Sequence, residues 1–128
     1  MNWKARLNKA FAEMRRQGIR AKQDFTCCQT CGNYEIEEFI RKKDHGYVFY
    51  HTQDTDSMSR GFVYLCYGGA HDNDNPEAVG RQICDILRSF GFEVMWDGSI
   101  KTRIRVVLEG VAWTRYSKKT LKKSTPKA

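Results

Sequence analysis

The run Phe62-Val63-Tyr64-Leu65-Cys66-Tyr67 is apolar at every position. Successive residues of a strand point to opposite faces, so both faces of this one call for cover, as in a central strand. A chain carrying such a segment has to build a sheet around it. The neighbouring sequence supplies partners. Tyr47-Val48-Phe49-Tyr50-His51 is a second β-branched and aromatic run, separated from the first by the polar residues 52–60, and the two read as an antiparallel pair. Residues 92–96 and 100–113 read as a hairpin turned around Asp97-Gly98, a dipeptide that tolerates positive φ. In its second arm Ile104, Val106 and Leu108 alternate inward against Arg103, Arg105 and Val107.

Helical periodicity appears in two places and weakly in a third. Trp3, Leu7, Ala10, Phe11 and Met14 recur at steps of three and four, and Gly18 follows where a C-terminal cap belongs. The opposite face of this amphipathic helix carries Lys4, Lys9, Arg15 and Arg16. Asn75 as N-cap and Pro76 at the first helical position open a helix over 76–90, whose stripe is Val79, Ile83, Ile86, Leu87 and Phe90 and which Gly91 ends. Residues 19–26 read as extended. Tyr34, Ile36, Phe39 and Ile40 outline a short helix over 34–42. The expected fold is therefore α+β with two layers: an antiparallel sheet of two β-hairpins, the N-terminal helix, the short helix and the helix at 76–90.

With 128 residues, 41% of them apolar, one domain over residues 1–113 is expected. No apolar run approaches the ~20 residues of a membrane span, and the N-terminal stretch is not a signal peptide, so a cytoplasmic protein with no membrane association is expected. The charge is uneven: seven basic and two acidic residues lie in 1–24, nine and thirteen in 25–113, and six and none in 114–128. The final segment, with Arg115, Lys118 and Lys119, reads as a flexible basic tail. Basic ends on an acidic body suit an anionic partner, nucleic acid or a nucleotide-like ligand, although such a tail also serves solubility alone.

Five cysteines in a chain of this type argue against a disulfide framework. Cys27-Cys28-Gln29-Thr30-Cys31-Gly32 holds a C-x-x-C pair, which is half of a structural zinc site. Cys27, Cys28 and Cys31 are the candidate ligands, and a fourth has to come from Cys66, Cys84 or a histidine. The same pair at a helix start suits thiol chemistry, and all five also serve as small buried side chains. His51, Gln53 and Asp54 form a polar trio at a strand end, where a general base with an orienting carboxylate belongs in a hydrolase-like or metal-assisted site, with His51 and Asp54 as its catalytic pair. Loop capping explains the trio equally well. The segment His71-Asp72-Asn73-Asp74 falls at the other end of the strand pair and reads as turn chemistry.

Trp96 at the hairpin corner, with Arg103, Arg105 and Arg115, adds aromatic and guanidinium groups of the kind that stack on nucleotide rings. Such aromatics also make cores, homo-oligomer interfaces and adaptor surfaces. The commoner phosphate-loop, dinucleotide, serine-hydrolase and zinc-protease motifs are absent.

Phe25-Thr26-Cys27-Cys28-Gln29-Thr30-Cys31-Gly32, Gly46-Tyr47-Val48-Phe49-Tyr50-His51-Thr52-Gln53-Asp54 and Trp96-Asp97-Gly98 together resemble a bacterial domain family of unknown function. That family is marked by a CCxxCG segment, a strand ending in H-x-Q-D and a W-D-G corner, and the resemblance covers residues 18–113. It implies that the three segments belong together and assigns no activity. The reading these observations favour is a small non-catalytic binding domain for an anionic partner; the hydrolase-like site and a protein–protein adaptor are the alternatives.

Overall fold

A computed structural model describes residues 3–25, 32, 34–51, 58 and 60–108. In chain order its elements are α1 (Trp3–Arg16), β1 (Ile19–Lys22), a 3-10 turn (Ile36–Phe39), β2 (Gly46–Phe49), β3 (Phe62–Gly69), α2 (Pro76–Ser89), β4 (Glu93–Met95) and β5 (Ile104–Val107). The strands form one five-stranded sheet in the order β1-β2-β3-β5-β4, which puts the two-sided apolar run at the centre. The fold is α+β.

Both helices pack on one face. α1 contributes Leu7, Phe11 and Met14, and α2 contributes Val79, Ile83 and Leu87. They close over Val48 and Tyr50, Val63 and Leu65, Val94, and Ile104, Val106 and Leu108. Burying each of the larger of these side chains contributes roughly 1.5–3 kcal/mol. The helix signals work as expected: Asn75 accepts from the backbone N–H of Glu77 and Ala78, while Gly18 and Gly91 take the left-handed φ of +92° and +88° that ends each helix.

Three expectations are corrected. The sheet is mixed rather than antiparallel, because the extended piece after α1 joins it as β1, parallel to β2 in the register Ile19↔Gly46 to Lys22↔Phe49. In place of a helix over 34–42 there is a 3-10 turn that stops at Ile40, whose backbone is extended. There the Asp44 carboxylate takes the Arg41 N–H at 2.8 Å and the Asp44 N–H bonds the Arg41 carbonyl, so a turn replaces the next helical round. The second hairpin has no tight two-residue loop, and its second strand starts at Ile104 rather than near residue 100. Asp97 Oδ1 accepts from the Ser99 N–H and the Thr102 hydroxyl, and these bonds organise the longer connection.

Edge strand β1 is held at both flanks. Arg20 pairs with the buried Asp44 at 2.9 Å, and Arg15 donates to the Ala21 carbonyl at 3.0 Å, which occupies an acceptor on the strand.

Candidate functional site

The register of the sheet sorts the second face, the one without helices, into rows. Lys22 stands beside Phe49, and Phe49 beside Cys66; continued one step, the β3–β5 register sets Cys66 beside Arg103. The next row runs Tyr64, Arg105, Met95. Continuing β2 by two residues brings His51 to Tyr64. The last row is Phe62, Val107, Glu93. Since paired residues share a face and helices cover the other one, this surface collects cations and aromatic rings.

The contacts are specific. The Arg105 guanidinium lies 4.5 Å from the centre of the Phe62 ring, with Arg60 at 5.7 Å from the same ring. Arg103 lies 5.0 Å from the Tyr64 ring. Lys22 Nζ sits 4.0 Å above Phe39, at the end of the face where Phe25 packs edge-on against both Phe39 and Phe49. The Phe62 and Tyr64 rings meet edge to face at 5.6 Å. A guanidinium held over a ring loses little freedom on binding and keeps its N–H edge for an acceptor. The Nε of Arg105 is buried and has no hydrogen-bond partner among the described residues.

Arg103 also reaches back along its row. Its Nη1 stands 3.3 Å from His51 Nε2 and 3.8 Å from Cys66 Sγ, and both neighbours are buried. Because a guanidinium only donates, His51 Nε2 is the accepting nitrogen. Thus His51, Arg103 and Arg105, expected as ligand-binding residues, come together on one face. Trp96 does not join them. It lies on the helix side, donating its indole N–H to the Tyr67 hydroxyl at 2.9 Å, with its ring edge-on to Tyr67 at 5.5 Å. There it lines an open cleft with Arg81 and Arg88, but Asp85 and Asp97 line the same cleft and Asp85 pairs with Arg88 at 3.9 Å. That balance of charge is poor for an anion.

The basic face of α1 is largely engaged within the fold. Arg6 donates to the Phe90 carbonyl, Arg15 to that of Ala21, and Arg16 pairs with Glu13. Gln53, Asp54, Arg115, Lys118 and Lys119 lie outside the described residues, as do Cys27, Cys28 and Cys31. Cys66 and Cys84 are both buried, but on opposite sides of the sheet, so no single zinc site takes both. Burial pushes the Cys84 thiol up to about 11. Among the described residues no group of three or more His, Cys, Asp or Glu is placed to hold a metal ion, and no helix is long and apolar enough to cross a membrane.

Reasoning from sequence missed Phe62 and Tyr64. Both belonged to a run that looked wholly interior, and only the pairing of β3 with β5, across an intervening helix, sets them under Arg103 and Arg105.

Fold and site together define a small two-layer α+β domain with one sheet face given over to arginines and aromatic rings. The chain belongs to the family described as Domain of unknown function (DUF6891), whose model matches residues 3–117. That span takes in α1, which the resemblance noted from residues 18–113 left out. No curated protein and no solved structure matches the chain.

Proposed function

We propose that the protein is a non-catalytic binding domain whose helix-free sheet face engages an anionic partner, nucleic acid or a nucleotide-like ligand. The observation that carries this reading is the pair Arg103 and Arg105, each laid over an aromatic ring on one face. Alternate residues of a strand stand about 6.7 Å apart, so the two guanidiniums form a row of donors. Lys22 and Arg60 extend the positive surface. Charge-assisted hydrogen bonds from such groups are worth about 1.5–3 kcal/mol each.

A hydrolase-like centre draws less support. The Nε2 of His51 already faces Arg103, a donor, which leaves it poorly placed to take a proton from substrate.

The test is fluorescence anisotropy of a labelled oligonucleotide titrated with the full chain at low salt. The double variant Arg103→Gln/Arg105→Gln, matched to wild type in its urea unfolding, is expected to bind at least tenfold more weakly. Equal binding by the folded variant would remove the face from the function.

A further inference from the structure

We infer that the occupant of this face is a single strand of nucleic acid, its bases stacked on the arginine–aromatic pairs and its phosphates on the guanidinium edges. The inference rests on reading the face as an anion site and goes further by naming the ligand. Charge complementarity selects a polyanion, since Lys22, Arg60, Arg103 and Arg105 stand together on the face with Glu93 at its border.

Shape and chemistry then separate the polyanions. The major groove of a duplex is about 12 Å wide and admits a helix or a two-stranded ribbon. Here the rings and cations lie across β2, β3 and β5, neighbours within a five-stranded sheet, which is too broad to enter it. A duplex therefore offers this face phosphates only. A single strand offers phosphates and unstacked bases, and the face has a counterpart to each. Arg105 above Phe62 and Arg103 above Tyr64 are cation–ring stacks at 4.5 and 5.0 Å, and a base stacks on either partner of such a pair. The in-plane N–H groups meet the phosphates, and Arg105 Nε lacks an acceptor among the described residues. A chain of bare phosphates would satisfy those N–H groups and leave the rings without a role.

The experiment uses the full chain at about 150 mM salt. It measures three affinities: for a labelled 12-nucleotide single strand, for the same sequence as duplex, and for inorganic polyphosphate of matched charge by competition. The single strand is expected to bind at least tenfold tighter than the other two. Tyr64→Leu is expected to abolish that preference. Arg105→Lys, which keeps the charge and the fold but not the planar stack, should reduce the preference severalfold with polyphosphate binding unchanged.

If all three polyanions bind equally and Arg103→Gln/Arg105→Gln weakens all of them, the anion face stands and the single-strand inference is overturned. A preference for duplex overturns it as well. Binding of a mononucleotide alone would move the ligand to that smaller class and overturn it too. If no polyanion binds, both readings fall together. A single-strand preference that survives intact in Arg105→Lys and in a folded Tyr64→Leu would show that stacking on this face is not its source.

Discussion

Gly80 shows how one missing carbon is used. A Cβ there would meet Trp96 Cη2 at 2.6 Å and Cζ2 at 2.8 Å, with Tyr67 Cε2 at 3.1 Å. Both rings are held by the Trp96–Tyr67 hydrogen bond, so neither yields easily. Gly80→Ala gains about 1 kcal/mol of helix propensity, but overpacking costs about 1–3 kcal/mol. We expect net destabilisation of roughly 1 kcal/mol in urea unfolding, shrinking in a Trp96→Leu background; an equal effect in both backgrounds would exclude the ring as its cause. Cys84 supports a second prediction. Its thiol rises from the usual 9 to about 11 by burial, so the folded state holds the proton more tightly than the unfolded chain. That contribution to stability is present in full below pH 9 and is lost as pH climbs toward 11. Unfolding free energies at pH 7, 9 and 10 should fall more steeply for wild type than for Cys84→Ala; parallel curves would mean that the thiol ionises as it does in the unfolded chain. At this scale the sequence was partly readable. Alternation in β5 separated Arg103 and Arg105 from Ile104 and Val106, as found, whereas nothing local showed that Phe62 and Tyr64 would lie beneath those arginines.

Elements with local signals could be read from sequence, and elements defined by distant pairing could not. α2 carries its own cap, a proline at its first position and a clean stripe. Asn75→Ala should therefore cost about 1 kcal/mol, seen as a lower urea midpoint with unchanged m-value. β1 is four residues, Ile-Arg-Ala-Lys, with nothing in them to specify a parallel partner 27 positions on. Its placement depends on Asp44, buried in a loop, accepting from Arg20 at 3.0 Å and from the Arg41 N–H. The same carboxylate ends the 3-10 turn, so one residue accounts for both misread elements. Asp44→Ala removes it and leaves Arg20 without its carboxylate. Breaking a buried pair in this way costs about 3–5 kcal/mol, and we expect the lower end because Arg20 keeps some access to water. Hydrogen exchange should then show amides of β1 opening before those of β3. Uniform loss of protection across the sheet would instead make Asp44 a prop for the whole fold.

For the molecule as a whole, the disposition of charge joins the sheet face to the C-terminal end. The body between residues 25 and 113 has more acids than bases, yet its helix-free face gathers Arg60, Arg103 and Arg105, with Lys22 from β1 beside them. Such a face draws a polyanion against the average charge around it, and weakly when alone. Residues 118–128 add five lysines, and flexible charge of this kind raises affinity without shape readout. Salt dependence separates the two contributions, because each phosphate neutralised on a single strand changes log K by about −0.7 per log unit of salt. Four cations on the face predict a slope of about −3, and all five lysines together with them extend it toward about −6. A chain ending at Ser117, which keeps the full span matched by the family, should therefore bind with the shallower slope and unchanged preference between single strand and duplex. If truncation instead removed the preference and left the slope in place, recognition would reside in the tail, and the arginines over Phe62 and Tyr64 would be packing residues.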